Sequence, residues 1–185
     1  MKNVIIPTDL TLESLYPIHE ICKNAGTGEC NIYIIHTVAM PTGIMDLLFM
    51  QENKLYSLIQ PQFTEALEML RKKYSSVINT LAFEFVWSNS KGFLKNYMHA
   101  RDVQSVYLLK KYDYNGGLPQ SVRCISTLQA CRVPVVFVQK THKPEHGLLT
   151  TLLYREDKRN IRMAGQPGSI QLNYLTDATQ EKYSL

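Results

Sequence analysis

The stretch VIIPTD, residues 4–9, sets a pattern that the rest of the chain repeats. A short apolar run ends at a proline, and a threonine and an aspartate follow before an amphipathic segment begins. Such a run is typical of a buried strand that ends in a loop presenting a carboxylate, with a helix after it. A matching run, VPVVFV at residues 133–138, predicts the last strand of the same unit.

Three further strands are predicted between these two, over residues 30–38, 81–87 and 105–109. The run at 30–38 is almost continuously apolar, as in a strand covered on both faces. Strands that alternate with helices form a parallel sheet whose crossovers cover both faces. We therefore predict an α/β fold, a three-layer α/β/α open sheet of five parallel strands in the order 3-2-1-4-5.

Apolar residues spaced three and four apart predict the helices that connect these strands. Pro17 either kinks the first helix or moves its start towards residue 15, and Pro61 breaks or kinks the second. Pro119 suits the start of the last helix. The four helices are expected over residues 12–22, 51–79, 93–100 and 119–131.

The predicted sheet also indicates where a ligand would bind. Open parallel sheets bind ligands beyond the carboxyl ends of the strands, where the strand order reverses. Strands one and four flank that point, and the loops after strands one, two and four surround it. Asp9 supplies a carboxylate there, and its competing interpretation is a cap for the following helix. The candidate ligand-binding residues are Pro7, Thr8, Asp9, Val38, Gly116, Gly117 and Ser121.

The composition is that of an ordinary globular protein, since 45% of the 185 residues are hydrophobic and 19% are charged. The net charge of +4 is spread evenly, whereas nucleic-acid binders concentrate basic residues on one face or segment. No apolar run reaches about 18 residues, and the N-terminal run is too short for a signal peptide. We therefore expect a cytoplasmic protein that binds neither nucleic acid nor a membrane.

Residues able to form a catalytic or metal site are not grouped in the sequence. Cys22, Cys30, Cys124 and Cys131 form no CxxC pair, and no histidine lies at a zinc-ligand spacing from them. Neither a Gly-x-Ser-x-Gly elbow nor a Walker-type Gly-Lys-Ser occurs. His36 lies late in a buried strand and is interpreted as a core histidine. We predict no catalytic residue and no metal site, and four buried thiols in a reducing compartment.

The segment from residue 140 onward differs from the rest of the chain. It is polar and highly charged, and it contains a strong turn signal, GQPG, at residues 165–168. We predict a short helix followed by an edge strand, or a hairpin across that turn. The chain is thus divided into an α/β domain, residues 1–139, and a C-terminal extension, residues 140–185.

Three strings, in this order, resemble signatures of the universal stress protein family: IPTD at 6–9, IHTV at 35–38 and VPVVFV at 133–138. The resemblance covers residues 1–139. It implies a Rossmann-like fold, a role in the stress response and a homodimer formed through the last strand. The tail strand would then cover this strand or exchange between subunits, which also protects a free sheet edge from aggregation. The candidate interface residues are Val133, Val135, Phe137, Ile170 and Leu172.

Many members of that family bind ATP through a G-x2-G-x9-G-(S/T) pattern after strand four. Glycines allow backbone N–H groups to approach phosphate oxygens, and the following helix N-terminus favours negative charge. When residues 116–118 are aligned with the family's frequent GGL, Lys111 and Tyr114 occupy the positions of the first two glycines. The resemblance therefore implies a degenerate ATP-binding motif. Five residues remain chemically suited to an anion, namely Lys110, Lys111, Gly116, Gly117 and Ser121.

Three functions follow from these observations. The first is a dimeric regulatory or scaffold protein that has lost ATP binding, with an unidentified protein partner. The second is a nucleotide sensor that binds ATP or AMP among Asp9, Val38, Gly116, Gly117 and Ser121. The third is a small-molecule hydrolase or transferase, which would need His36 exposed as a base.

Overall fold

The computed structural model describes residues 1–41, 43, 52–115 and 117–140. Within this part of the chain, strands alternate with helices from β1 to β5. The strands are β1 (Lys2–Pro7), β2 (Cys30–Thr37), β3 (Ile78–Val86), β4 (Ser105–Leu109) and β5 (Val135–Val138). The helices are a 3-10 turn (Glu13–Leu15), α1 (Pro17–Lys23), α2 (Glu52–Ser57), α3 (Pro61–Lys73), α4 (Lys91–Ala100) and α5 (Ile125–Gln129).

The five strands form one parallel sheet in the order β3-β2-β1-β4-β5. This arrangement confirms the fold predicted from the sequence. The centre of the sheet is fully buried, since Val4, Ile5 and Ile6 of β1 are 0% exposed. Nearly the whole of β2 is buried as well, which explains why its sequence is a continuous apolar run.

The sheet diverges at the end of β1, and this divergence makes room for a site. On one side β1 pairs with β2 along its whole length, from Lys2 to Pro7. On the other side the register with β4 covers only Val4 and Ile5. Beyond its pairing with β4, β1 lies beside β2 alone, and the residues that follow Pro7 lie at the gap between β2 and β4. Open parallel sheets bind ligands at such a point.

Both prolines that interrupt helical patterns lie at helix starts. Pro17 is the first residue of α1, and Pro61 is the first residue of α3. At this position the missing N–H costs nothing and the fixed φ suits a helix. A 3-10 turn and a separate short helix occupy the segments before them, so the prolines end one element and begin the next.

Two predicted helix boundaries are wrong. The helix expected over 51–79 ends at Lys73, and Ile78 and Asn79 already belong to β3. The helix expected over 119–131 forms only as Ile125–Gln129. Residues 120–122 instead form backbone hydrogen bonds and a single bridge with residues 37–39 at the end of β2.

The thiol prediction agrees with the structure, in which all four cysteines are free and buried. Among the described helices, none has the length and apolar character that a membrane crossing requires. The predictions for the C-terminal extension from residue 141, including Ile170 and Leu172, lie outside the described residues.

Candidate functional site

A small cavity lies at the carboxyl ends of β1 and β2, beside the loop that follows β4. Its volume is about 150 Å³. Four of the predicted ligand-binding residues line it, namely Pro7, Thr8, Asp9 and Ser121. The structure therefore brings these loops together as the topology predicts, although the space that they enclose is small. His36, Thr37 and Tyr114 also line it.

The carboxylate of Asp9 forms hydrogen bonds through both oxygens inside the protein. Its Oδ1 accepts from the backbone N–H and the hydroxyl of Thr11, at 3.2 and 2.7 Å. Its Oδ2 accepts from the phenol of Tyr112 at 2.7 Å. Asp9 is only 4% exposed. The carboxylate thus organises the loop after β1, and it does not cap a helix as one interpretation predicted, because its partners are Thr11 and Tyr112 and not an N–H of the 3-10 turn or α1.

Two tyrosines fill the loop after β4. Tyr112 and Tyr114 pack edge to face, with ring centroids 4.8 Å apart. The Tyr114 hydroxyl accepts a hydrogen bond from the backbone N–H of Leu109 at 2.8 Å, and its ring is 9% exposed. Burial raises the pKa of Tyr114 to about 12, so the phenol stays neutral. A buried aromatic ring therefore occupies this part of the loop after β4.

Gly117 lies in close contact with the loop after β1. A Cβ atom at this position would lie 2.8 Å from the backbone carbonyl oxygen of Asp9. Only glycine permits such an approach. This close approach packs the loop after β4 against the loop after β1. It accounts for a glycine at position 117 without a bound phosphate. Gly116 lies outside the described residues.

Lys111 has a backbone conformation that favours glycine. Its φ is +58°, in the left-handed region that L-residues with a side chain enter at a cost of about 1–2 kcal/mol. Glycine at this position would not carry that cost.

We expect the Lys111→Gly variant to be more stable than the wild type by about 0.5–1 kcal/mol. Relief of the left-handed strain favours the folded state, while the greater freedom of glycine in the unfolded chain offsets part of it. Urea unfolding measures the difference. Lys110→Gly is the control, because Lys110 does not have a positive φ, and it should lose about 0.5–1 kcal/mol. Equal effects at both positions would contradict the prediction.

Residues 120–122 close the end of β2. The N–H of Ala39 donates to the carbonyl of Gln120 at 2.8 Å, and the N–H of Val122 donates to the carbonyl of Thr37 at 2.9 Å. Between them, Val38 and Ser121 form an antiparallel bridge. Val38 is 0% exposed, and its own N–H donates to the carbonyl of Val86. These backbone groups at the end of β2 therefore already have hydrogen-bond partners within the protein.

His36 and Ser121 form a pair that the sequence did not suggest. Nε2 of His36 lies 2.7 Å from the Ser121 hydroxyl, and Nδ1 lies 2.7 Å from the backbone carbonyl oxygen of Thr8. His36 is 2% exposed, as expected for a core histidine. Burial lowers the pKa of His36, so the ring is neutral near pH 7. The two residues are far apart in the sequence, and only the packing of β1, β2 and the loop after β4 brings them together.

No group of three metal-ligating side chains occurs within the part of the chain that the structure describes.

Comparison with known proteins gives solved structures alone. No family model matches the chain, and no curated protein matches it. The chain is similar to the universal stress protein UspA from Lactobacillus plantarum, at 12% identity and a TM-score of 0.49, with 74% of this chain and 97% of that chain covered.

Two similar structures were solved with nucleotides. One is a universal stress protein in complex with cAMP, at 13% identity and a TM-score of 0.45, covering 74% of this chain and 96% of that one. The other is a universal stress protein family protein from Arabidopsis thaliana with AMP bound, at 11% identity and a TM-score of 0.40, covering 76% and 92%. These descriptions name the family that the sequence strings resemble, and the fold itself is established by the order and register of the strands.

Proposed function

We propose that this chain is a universal stress protein-like regulatory or scaffold protein whose nucleotide site is closed by its own side chains. The observation that carries the proposal is the hydrogen bonding of Asp9. Both of its oxygens have partners inside the protein, and one partner is Tyr112 from the loop where phosphate would be bound. A nucleotide that needed this carboxylate would have to displace a buried hydrogen bond, which costs about 1–3 kcal/mol.

The size of the cavity supports the same proposal. Pockets that hold small molecules and cofactors measure about 300–1,000 Å³, whereas this cavity measures about 150 Å³. Tyr114 is one of the residues that line it, and Ser121, another lining residue, is held by its bridge to Val38. The cavity would therefore have to open before an adenosine and its phosphates could enter.

Calorimetric titration of the full chain with ATP, AMP and a cyclic dinucleotide is expected to give no binding heat at millimolar ligand. The physical reason is that binding would have to open the contacts among Asp9, Tyr112 and Tyr114. Saturable heat that disappears in Asp9→Ala and persists in Glu65→Ala, a matched exposed carboxylate on α3, would support the nucleotide sensor instead.

We further propose that the chain forms a homodimer through β5. One edge of β5 pairs with β4, and within the described residues no strand pairs with its other edge. Two apolar side chains of β5 are unusually open to solvent, Val136 at 37% and Phe137 at 55% exposed. Val133 and Val135, also predicted at the interface, are half-buried against the core. A free edge with exposed apolar side chains favours pairing with a second strand.

Light scattering after size exclusion of the full chain is expected to give the mass of a dimer. Phe137→Lys should shift the protein to the monomer, because it places a charge at the centre of the proposed contact. Phe93→Lys is the matched control, since Phe93 is 43% exposed but lies on α4, and it should leave the dimer intact. A monomeric wild type would reject the dimer, as would equal dissociation of both variants.

A further inference from the structure

The hydrogen bonds that join Ser121, His36 and Thr8 have the arrangement found where a histidine activates a serine. Two hydrogen bonds of 2.7 Å connect the His36 ring to the Ser121 hydroxyl and to the Thr8 carbonyl. A nucleophile in hydrogen-bond contact with a base, which is oriented in turn by a third group, is the arrangement that activates serine in covalent catalysis. Here a backbone carbonyl takes the place of the usual carboxylate.

The hydrogen bonds determine which atom carries each proton. The Thr8 carbonyl can only accept, so Nδ1 of His36 donates to it. Because the ring is neutral, Nε2 then has a lone pair, which accepts the Ser121 hydroxyl proton. The backbone N–H of Leu118 donates to the Ser121 oxygen at 3.0 Å. This third contact holds the oxygen in place while the proton points at the base.

The exposure of the two residues agrees with these roles. His36 is buried, while Ser121 is only half-buried and lines the cavity. A hydroxyl oxygen has two lone pairs, and Leu118 uses one of them. At 2% exposure His36 does not meet the requirement stated for the third function, a base exposed to the substrate. A base that acts through Ser121 can lie behind it.

We propose that Ser121 is a nucleophile activated by His36 and that it accepts a short acyl group from small activated esters. The Ser121 oxygen forms a bond to the acyl carbon, and its proton passes to Nε2 of His36. The tetrahedral intermediate then expels the alcohol or phenol, which takes the proton back from Nε2. The products are acyl-Ser121 and the free alcohol or phenol. Nothing is oxidised or reduced.

The cavity limits the acyl group to a small one. Its volume of about 150 Å³ is half the lower end of the range for cofactor pockets, so a nucleotide ester or a long acyl chain is excluded while an acetyl group fits. Asp9 and Arg123 are the charged residues among those that line it. An uncharged donor avoids repulsion from either of them, which favours a neutral ester.

The test uses p-nitrophenyl acetate and the full chain. Intact mass spectrometry is expected to show one acetyl group per chain, released nitrophenol is expected to be equimolar with it, and peptide mapping should place the acetyl group on Ser121. Ser121→Ala should abolish the modification. Ser126→Ala, an exposed serine on α5, should leave it unchanged. His36→Gln should slow it by about 10²–10⁴-fold, the usual contribution of a general base.

The wild-type protein alone also decides the proposal, even if the His36 variant fails to fold. Since burial lowers the pKa of His36, the acetylation rate should be constant at neutral and alkaline pH and should fall only on acidification, when the imidazole gains a proton. Acetylation confined to lysines, a rate that keeps rising with pH as amines deprotonate, or no reaction at all would overturn the proposal. The outcome is independent of the nucleotide titration, so either can fail alone.

Discussion

Replacement of Tyr114 by alanine is expected to lower the free energy of unfolding by about 3–5 kcal/mol, the cost of removing a large aromatic ring from a core. The ring is 9% exposed, packs on Tyr112 and belongs to the main hydrophobic cluster. Its phenol also bonds to the backbone of Leu109. Urea unfolding monitored by circular dichroism measures the loss.

Tyr114→Phe separates the two contributions of this residue. It keeps the ring and leaves the Leu109 N–H without its partner, which should cost about 1–3 kcal/mol. Tyr112→Phe removes the hydroxyl that bonds to Asp9 and should cost less, because Tyr112 is less buried than Tyr114. If Tyr114→Ala were as stable as the wild type, the tyrosine would not hold this loop closed, and the proposed closure of the site would lose its main support.

Replacement of Arg101 by alanine is expected to cost about 3 kcal/mol. Arg101 forms an ion pair with Glu84 at 2.6 Å, and the Tyr97 hydroxyl donates to the same carboxylate oxygen at 2.7 Å. The guanidinium also lies over the Tyr97 ring, 4.0 Å from its centroid. Removing one member of a buried ion pair costs about 3–5 kcal/mol. The Arg101 side chain is 22% exposed and that of Glu84 is 11% exposed, so the lower end of the range applies.

A second variant shows whether the loss comes from the uncompensated charge. Arg101→Ala combined with Glu84→Gln removes the charge and keeps an acceptor for the Tyr97 hydroxyl, so it should recover at least half of the lost stability. Lys95→Ala, at an exposed position of the same helix, should change the stability by less than about 0.5 kcal/mol. If the double variant were less stable than Arg101→Ala, lost packing would account for the effect.

The burial in β5 differs from that in the other strands, and the apolar pattern of β5 alone does not show the difference. Residues 133–138 read as a continuous apolar run, as do β1 and β2, which are buried on both faces. Yet Val136 and Phe137 are exposed. Periodicity records which residues are apolar, while the position of a strand at the edge of the sheet depends on strand order. In the proposed dimer, a strand of the partner subunit would be the second neighbour of β5, which would account for an apolar sequence at the edge of the sheet.

The sequence by itself determined the alternation of strands and helices, and through it the parallel sheet and the position of the site, because apolar periodicity and proline act over a few neighbouring residues. Local pattern was also enough to place Lys111 and Tyr114 in the loop after strand four. Only the tertiary structure decided what those residues do. The contacts of Tyr112 with Asp9 and of Ser121 with His36 join segments that are distant in the chain, and such contacts depend on how the loops pack at the end of the sheet.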